Sequence, residues 1–368
     1  MSFDHAYGAI LGAFVGDAAG AVLEFRGKPD LELVSAAMKM PGGGMLRVGP
    51  GQITDDSEMA LCLAHALTGH EASQLQGAAA EMYVKWLNSK PFDIGATTRN
   101  ALSAGLYAQQ KGESKSGIAS SMVTAAAATN MGSKANGALM RITPLAVWGH
   151  KLSQHDLVQA VQSDAQLTHP NKTCLDCNAC YCIAIAHLIN NPGDAQGSVK
   201  EAEDWATAHA TEEVNEWLTA SSQHGCDSDC LDLIGFVKWG FTYAFRHLRL
   251  QSSYEEAISD VLSMGGDTDT NAAIVGGLMG ALHGASGIPR YMKEPVLARD
   301  SNSPGIPRQD FLTTRTLPEV CRQLYELAGQ GAGMNALPVS HAAIVPGGSN
   351  CGSCFIPSVR RLTRNAAS

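Results

Sequence analysis

AYGAILGAFVGDAAGAVLEF, residues 6–25, is the stretch on which the fold class turns. It is apolar enough to suggest a membrane span, but Asp17 lies near its middle, at a cost of roughly 2.5–3.5 kcal/mol on insertion scales. Gly12, Gly16 and Gly20 recur every four residues. That spacing puts small residues on one helix face and lets another backbone approach closely. The segment therefore reads as a buried helix of a soluble protein, with no membrane span.

Working outward, the same helical grammar recurs. DDSEMALCLAHAL (55–67), GAAAEMYVKWLNS (77–89), TCLDCNACYCIAIAHLI (173–189), WGFTYAFRHL (239–248), YEEAISDVLSM (254–264) and TNAAIVGGLMGALHG (270–284) carry apolar residues at three- and four-residue spacing. No sustained period-two run appears. Aromatics are 6% and Gly is 38 of 368 residues, a balance suited to closely packed helices and poor for a β-sandwich. The expected class is all-α. Gly and Pro clusters at Pro41–Gly51, Gly193–Ser198 and Ser303–Pro307 suggest linkers. Residues 1–330 are expected to form one domain. From Gly331 the chain turns to Gly, Ala, Pro and Ser with Arg360, Arg361 and Arg364 and no acid, so 331–368 reads as a loosely docked or disordered tail.

With a net charge of −9 and no block of Lys or Arg, a nucleic-acid or polybasic membrane surface is excluded. Ten cysteines in a chain too long to need disulfide staples, behind an N-terminus lacking a basic signal region, read as reduced thiols in a cytoplasmic protein. Cys174, Cys177, Cys180 and Cys182 mimic metal-cluster spacing. They sit inside a strong helical pattern, however, and small buried thiols packing a helix are the preferred reading.

Two acidic clusters carry the chemistry. In GQITDDSEMALCLAHAL (51–67), Thr54, Asp55 and Asp56 stand where the apolar period begins, as N-cap and first-turn residues. In MGGDTDTNAAIVGGLMGALHG (264–284), Gly265 and Gly266 permit a tight turn before Asp267, Asp269 and Thr270 open a second helix. Capping alone is the bland explanation, yet one acid per helix start suffices for it. Carboxylates with Thr hydroxyls form an oxygen-only ligand set suited to Mg²⁺ or Mn²⁺. Facing one cleft, four carboxylates would raise one another's pKa unless divalent cations neutralised them, and two such ions could hold vicinal hydroxyls and activate a water.

These segments, with GAILGAFVGDAAGAVLEF (8–25), PFDIGATTRNAL (91–102), NGALMRITPLAVWG (136–149) and LTHPNKTCLDCNACYCIAIAHL (167–188), resemble the ADP-ribosylglycohydrolase family in order and spacing, from residue 6 to about residue 285. Within that family the chain is most similar to the dinitrogenase-reductase-activating branch, which removes ADP-ribose from arginine. The resemblance implies an orthogonal all-α bundle and two Mg²⁺ or Mn²⁺ ions on Thr54, Asp55, Asp56, Asp267, Asp269 and Thr270. It implies further that the distal ribose of ADP-ribose sits over the metals and that its anomeric bond is hydrolysed through an oxocarbenium-like state.

By the same resemblance, Glu24 matches a mobile-loop glutamate that orients water or touches metal, and Asp93 an acid beside the leaving guanidinium. Asn136, Gly137 and Ala138 lie where backbone N–H groups meet the diphosphate, and His169 matches a histidine near the nucleotide. The implied catalytic set is Glu24, Asp55, Asp93 and Asp269, acting as a monomer on an ADP-ribosylated protein. Two non-enzymatic classes stand beside this one: a structural protein, since J1-type jellyfish lens crystallins are similar to the family, and a module that binds ADP-ribose without turnover. Within enzymes, serine-linked or O-acetyl-ADP-ribose is the alternative substrate.

Overall fold

The computed structural model describes residues 2–70, 72–221, 230–300 and 302–328. The tail expected over 331–368 lies outside the described residues, as does Cys226. All described residues fall in one compact unit, Met1–Asn335.

Among them are sixteen α-helices. The N-terminal half holds α1 (Ser2–Gly20), α2 (Leu31–Ala37), α3 (Asp55–Gly69), α4 (Leu75–Asn88), α5 (Ala96–Gln110), α6 (Lys115–Thr129), α7 (Thr143–Gly149) and α8 (Gln154–Ala165). Then follow α9 (Lys172–Asn190), α10 (Ala195–His209), α11 (Glu212–Ala220), α12 (Val237–Leu250), α13 (Tyr254–Ser263), α14 (Thr268–Gly287), α15 (Arg290–Leu297) and α16 (Leu317–Leu327). No strand longer than an isolated bridge occurs among the described residues, so the fold is all-α. The expected linker at 193–198 is instead a helix start: Asp194 caps α10 by accepting from the Gly197 N–H.

The centre is the antiparallel pair α1 and α14, wrapped by α3, α7, α9, α12, α13 and α16. The four-residue glycine period of α1 sets how closely the pair approaches. A Cβ on Gly8, Gly12, Gly16 or Gly20 would lie 2.3, 2.2, 2.0 and 2.3 Å from the carbonyl oxygens of Gly280, Gly276, Ala272 and Thr268. Each four-residue step along α1 is met by a four-residue step back along α14, so the backbones touch over about three turns. Residues 8–20 of α1 are buried throughout, Asp17 included. The apolar stretch is thus a core helix, and no single described helix is long and apolar enough to cross a membrane.

Tyrosine hydroxyls secure the crossing. Tyr254 Oη donates to the Gly12 carbonyl at 2.6 Å and Tyr181 Oη to that of Ile274 at 2.8 Å. Both phenols are buried, so each needs such a partner.

The cysteines of α9 pack the core. Cys174 Sγ faces the carbonyls of Ser133 and Ala135, whereas Cys180 Sγ faces Ala202 of α10. Burial pushes the Cys174 thiol up to about 12, which holds it protonated. Thiols pointing to different sides of one helix do not converge on an ion. Among the described residues no potential metal-holding group includes a cysteine.

Candidate active site

The close α1/α14 approach places two helix starts side by side. α3 begins at Asp55 behind its N-cap Thr54, and α14 begins at Thr268 behind Asp267. Gly265 and Gly266 reach this start through the left-handed region, with φ of 71° and 76°. A Cβ on Gly266 would sit 2.1 Å from the Cys230 carbonyl oxygen, and one on Gly265 2.5 Å from that of Gly27. That turn therefore pins the segments after Glu24 and Cys230 against Asp267.

Neither N-cap side chain caps its own helix. Instead Asp17 of α1 caps α3 from outside: its carboxylate accepts from the Thr54 N–H at 3.0 Å, the Ser57 N–H at 3.1 Å and the Thr54 hydroxyl at 2.8 Å. Capping supplied by a third element leaves Asp55 and Asp56 free for other work. This answers the bland reading of the acidic pair. In the sequence alone, Asp17 speaks only against a membrane span. Its role depends on a contact across 37 residues, for which no local pattern exists.

The carboxylates then converge. Oxygens of Asp17, Asp56 and Asp269 lie within 4.8 Å of one another, and so do those of Glu24, Asp93 and Asp269. Thr54 Oγ1 stands 2.9 Å from Asp56 Oδ2 and 3.3 Å from Asp269 Oδ2. Asp267 is tied to Asn136, whose Nδ2 donates to its Oδ2 at 2.8 Å. The Thr270 hydroxyl serves Asp56. Asp55, half-buried at the edge, feels Asp56, Asp93 and Glu24.

The electrostatics follow from the crowding. Burial first, then neighbouring carboxylates, raises Asp55, Asp56 and Asp269 well above the usual range. Burial together with Asp93 and Asp267 raises Glu24 to about 8. Burial raises Asp17 to about 6 against the opposing hydrogen bonds it accepts from Thr54 and Ser57. Glu24 Oε2 and Asp56 Oδ1 are buried without any hydrogen-bond partner. Acceptor-only oxygens left over among mutually repelling acids fit a divalent cation, which would satisfy the orphans and cancel the repulsion.

The remaining sequence-derived residues sit one layer away. A Cβ on Gly137 would lie 2.9 Å from His169 Cε1, so this glycine lets the loop close on the imidazole. His169 is buried and kept neutral, pushed down to about 3 by desolvation and then by the nearby Arg141. Ala138 is fully buried against Ala165 and Leu175. The loop is backed by Arg141, which donates to the Gly137 carbonyl, to Thr168 Oγ1 and to Asp164, over the face of Tyr83.

Fold and site together define a class: an all-α protein whose paired helix starts bring a cluster of acids together, suited to positive charge. Sequence comparison narrows that class to one family. The ADP-ribosylglycohydrolase model matches residues 2–333, and the chain belongs to this family. It is 31% identical over 291 residues to the ADP-ribosyl-[dinitrogen reductase] glycohydrolase of Rhodospirillum rubrum, covering 78% of this chain and 88% of that protein. It is 29% identical over 305 residues to ADP-ribosylarginine hydrolase Tri1 of Pseudomonas putida (strain GB-1), covering 80% and 75%. A solved structure described as an ADP-ribosylglycohydrolase-related protein complex superimposes with a TM-score of 0.67 at 23% identity, over 89% of this chain and 99% of that one, and shares the fold. The protein is a hydrolase acting on ADP-ribosyl linkages.

Proposed function

We propose that the enzyme releases ADP-ribose from modified arginine side chains of proteins. Two divalent cations, Mg²⁺ or Mn²⁺, would be held by Thr54, Asp55, Asp56, Asp267, Asp269 and Thr270. The observation that carries this reading is the single group formed by Glu24, Asp93 and Asp269, next to that of Asp17, Asp56 and Asp269. The relatives named for arginine or dinitrogen reductase support the linkage.

When bound, the cations would supply charge to orient the ribose hydroxyls and lower the pKa of a water. The chain's residues do the rest. Asp269 is shared by both groups and so joins the cation-holding acids to the leaving-group side. Glu24 would act on a water at the anomeric carbon or on the developing oxocarbenium charge. Asp93, whose Oδ1 accepts from the Ile94 N–H and keeps a second lone pair, would meet the guanidinium with its carboxylate, aligning it through paired hydrogen bonds or supplying a proton as the bond breaks. Asn136 steadies Asp267, while Gly137 and His169 form the neutral wall beside it.

The direct test is release of free ADP-ribose from ADP-ribosyl-arginine, compared with serine- and O-acetyl-linked substrates, in Mn²⁺, in Mg²⁺ and after chelation. Cation-dependent release from arginine is expected. Tight ADP-ribose binding with no release from any substrate would overturn the enzymatic assignment of this site, and preference for serine would overturn the linkage.

A further inference from the structure

We propose that Arg308 is a positioning residue for the leaving-group acid, locking the loop that carries Asp93 to the cation-holding helix α3. This deepens the arginine-hydrolase reading and rests on it. Arg308 lies in the Gly- and Pro-rich stretch SPGIPRQDF (303–311), far from both acidic motifs in sequence.

Its guanidinium has five N–H donors, and each has a partner. Nε donates to Glu58 Oε1 at 2.6 Å and Nη2 to Glu58 Oε2 at 2.8 Å, a two-pronged pairing. Nη2 also donates to Ser89 Oγ at 2.7 Å, and Nη1 to the carbonyls of Ser89 and Lys90 at 3.1 and 3.2 Å. The pair is buried, with side-chain exposures of 8% for Arg308 and 1% for Glu58. Trp86 Nε1 donates to the same Glu58 carboxylate at 2.7 Å.

One end of this clamp is α3, on which Glu58 sits one turn beyond Asp55 and Asp56. The other is the end of α4, where Lys90 adopts a φ of 56° and turns the chain into Pro91, Phe92 and Asp93. A lysine side chain is costly in the left-handed region unless its surroundings hold it there, and the guanidinium on its carbonyl does so. The Arg308 guanidinium also lies 5.9 Å from the Phe92 ring centre. Contacts to Ser89, Lys90 and Phe92 thus lead up to Asp93. Neutralising a buried Glu58 needs the two-pronged pair alone; the three bonds to Ser89 and Lys90 are what a loop clamp adds.

A lysine at 308 keeps the charge but has three donors and no planar fork, so it cannot hold both ends at once. The experiment measures kcat and KM on ADP-ribosyl-arginine, and affinity for free ADP-ribose, in wild type, Asp93→Asn, Arg308→Lys and the double variant. Arg308→Lys is expected to lower kcat on the order of 10-fold or more, as displacement of a reacting group by a fraction of an ångström to 1 Å does. KM and free ADP-ribose affinity should stay within about 2-fold. In the Asp93→Asn background the same change should cost less than about 2-fold, because the group it positions is already gone. Equal losses in both backgrounds would overturn the clamp and leave the arginine reading standing. Wild-type turnover in Asp93→Asn would instead remove the arginine role of Asp93. Should Arg308→Lys fail to fold, Ser89→Ala and Glu58→Gln test the same chain of contacts, with smaller losses of kcat that again vanish in the Asp93→Asn background; losses that persist there would refute it.

Discussion

Replacing Gly16 by Ala tests whether backbone contact between α1 and α14 builds the site. The added Cβ would stand 2.0 Å from the Ala272 carbonyl oxygen and 2.5 Å from its carbon. Ordinary contact needs about 3.4 Å, so the helices must part by roughly 1 Å, since both obstacles are backbone and cannot rotate away. Overpacking of this kind costs about 3 kcal/mol at the upper end of its range. Ala for Gly in a helix returns about 1 kcal/mol. The net loss is about 2 kcal/mol. With an unfolding entropy of about 2.1 cal/mol/K per residue, a domain of this size loses on the order of 3 °C in Tm.

The consequence reaches function because Asp17, one residue on, caps α3, while Asp269 lies one turn from Ala272. Parting the helices pulls Asp269 from Asp17 and Asp56. Thermal unfolding and Mn²⁺ titration calorimetry on Gly16→Ala, with Gly69→Ala as control, provide the assay. Gly69 ends α3 with nothing within 4 Å of its would-be Cβ, so its change should be neutral or mildly stabilising. A Gly16→Ala protein with undiminished Tm and unchanged Mn²⁺ affinity would refute the reasoning.

Asp17→Asn should lose about 1–2 kcal/mol, because an amide presents one acceptor where the carboxylate serves two backbone N–H groups and a hydroxyl; calorimetry should also show weaker Mn²⁺ binding, and unaltered binding would mean that the cap does not position Thr54 and Asp56. Glu24 holds a proton in the folded chain that the unfolded chain has lost, so without metal the wild type should lose stability relative to Glu24→Gln as pH rises from 4.5 to about 8, and Mg²⁺ or Mn²⁺ should shrink that difference; a difference that is constant, or that grows the other way across this window, contradicts the crowding argument. His169 behaves oppositely, since the unfolded chain takes up a proton below 6.5 that the folded one refuses until about 3. The wild type should therefore lose stability relative to His169→Gln as pH falls through that window, and parallel acid limbs in the two proteins would refute this. Asp55→Ala and Asp269→Ala should abolish turnover with the helical fold retained by circular dichroism, whereas activity surviving exhaustive chelation would remove the cation requirement.

The helices, the two acidic helix starts and the glycine turn before Asp267 were legible in the sequence because each rests on local rules: apolar period, N-cap chemistry and the left-handed turn. The four-residue glycine stripe of α1 also announced close packing, since glycines cost a helix stability and at that spacing clear one face for a neighbouring backbone. Its partner could not be read, because a stripe states that a backbone comes near and not whose. Only the tertiary structure chose α14, and in the register that lays Gly20 against Thr268 and Asp269. The same holds for Asp17, 37 residues from the helix it caps, and for Arg308, 250 residues from Glu58. Their partners are fixed by chain packing, which brings together groups whose separation in sequence carries no period. The proposed cation ligands of the site were thus present in two short motifs, whereas its geometry, and the pKa shifts that crowding imposes, came into being when α1 and α14 closed on each other.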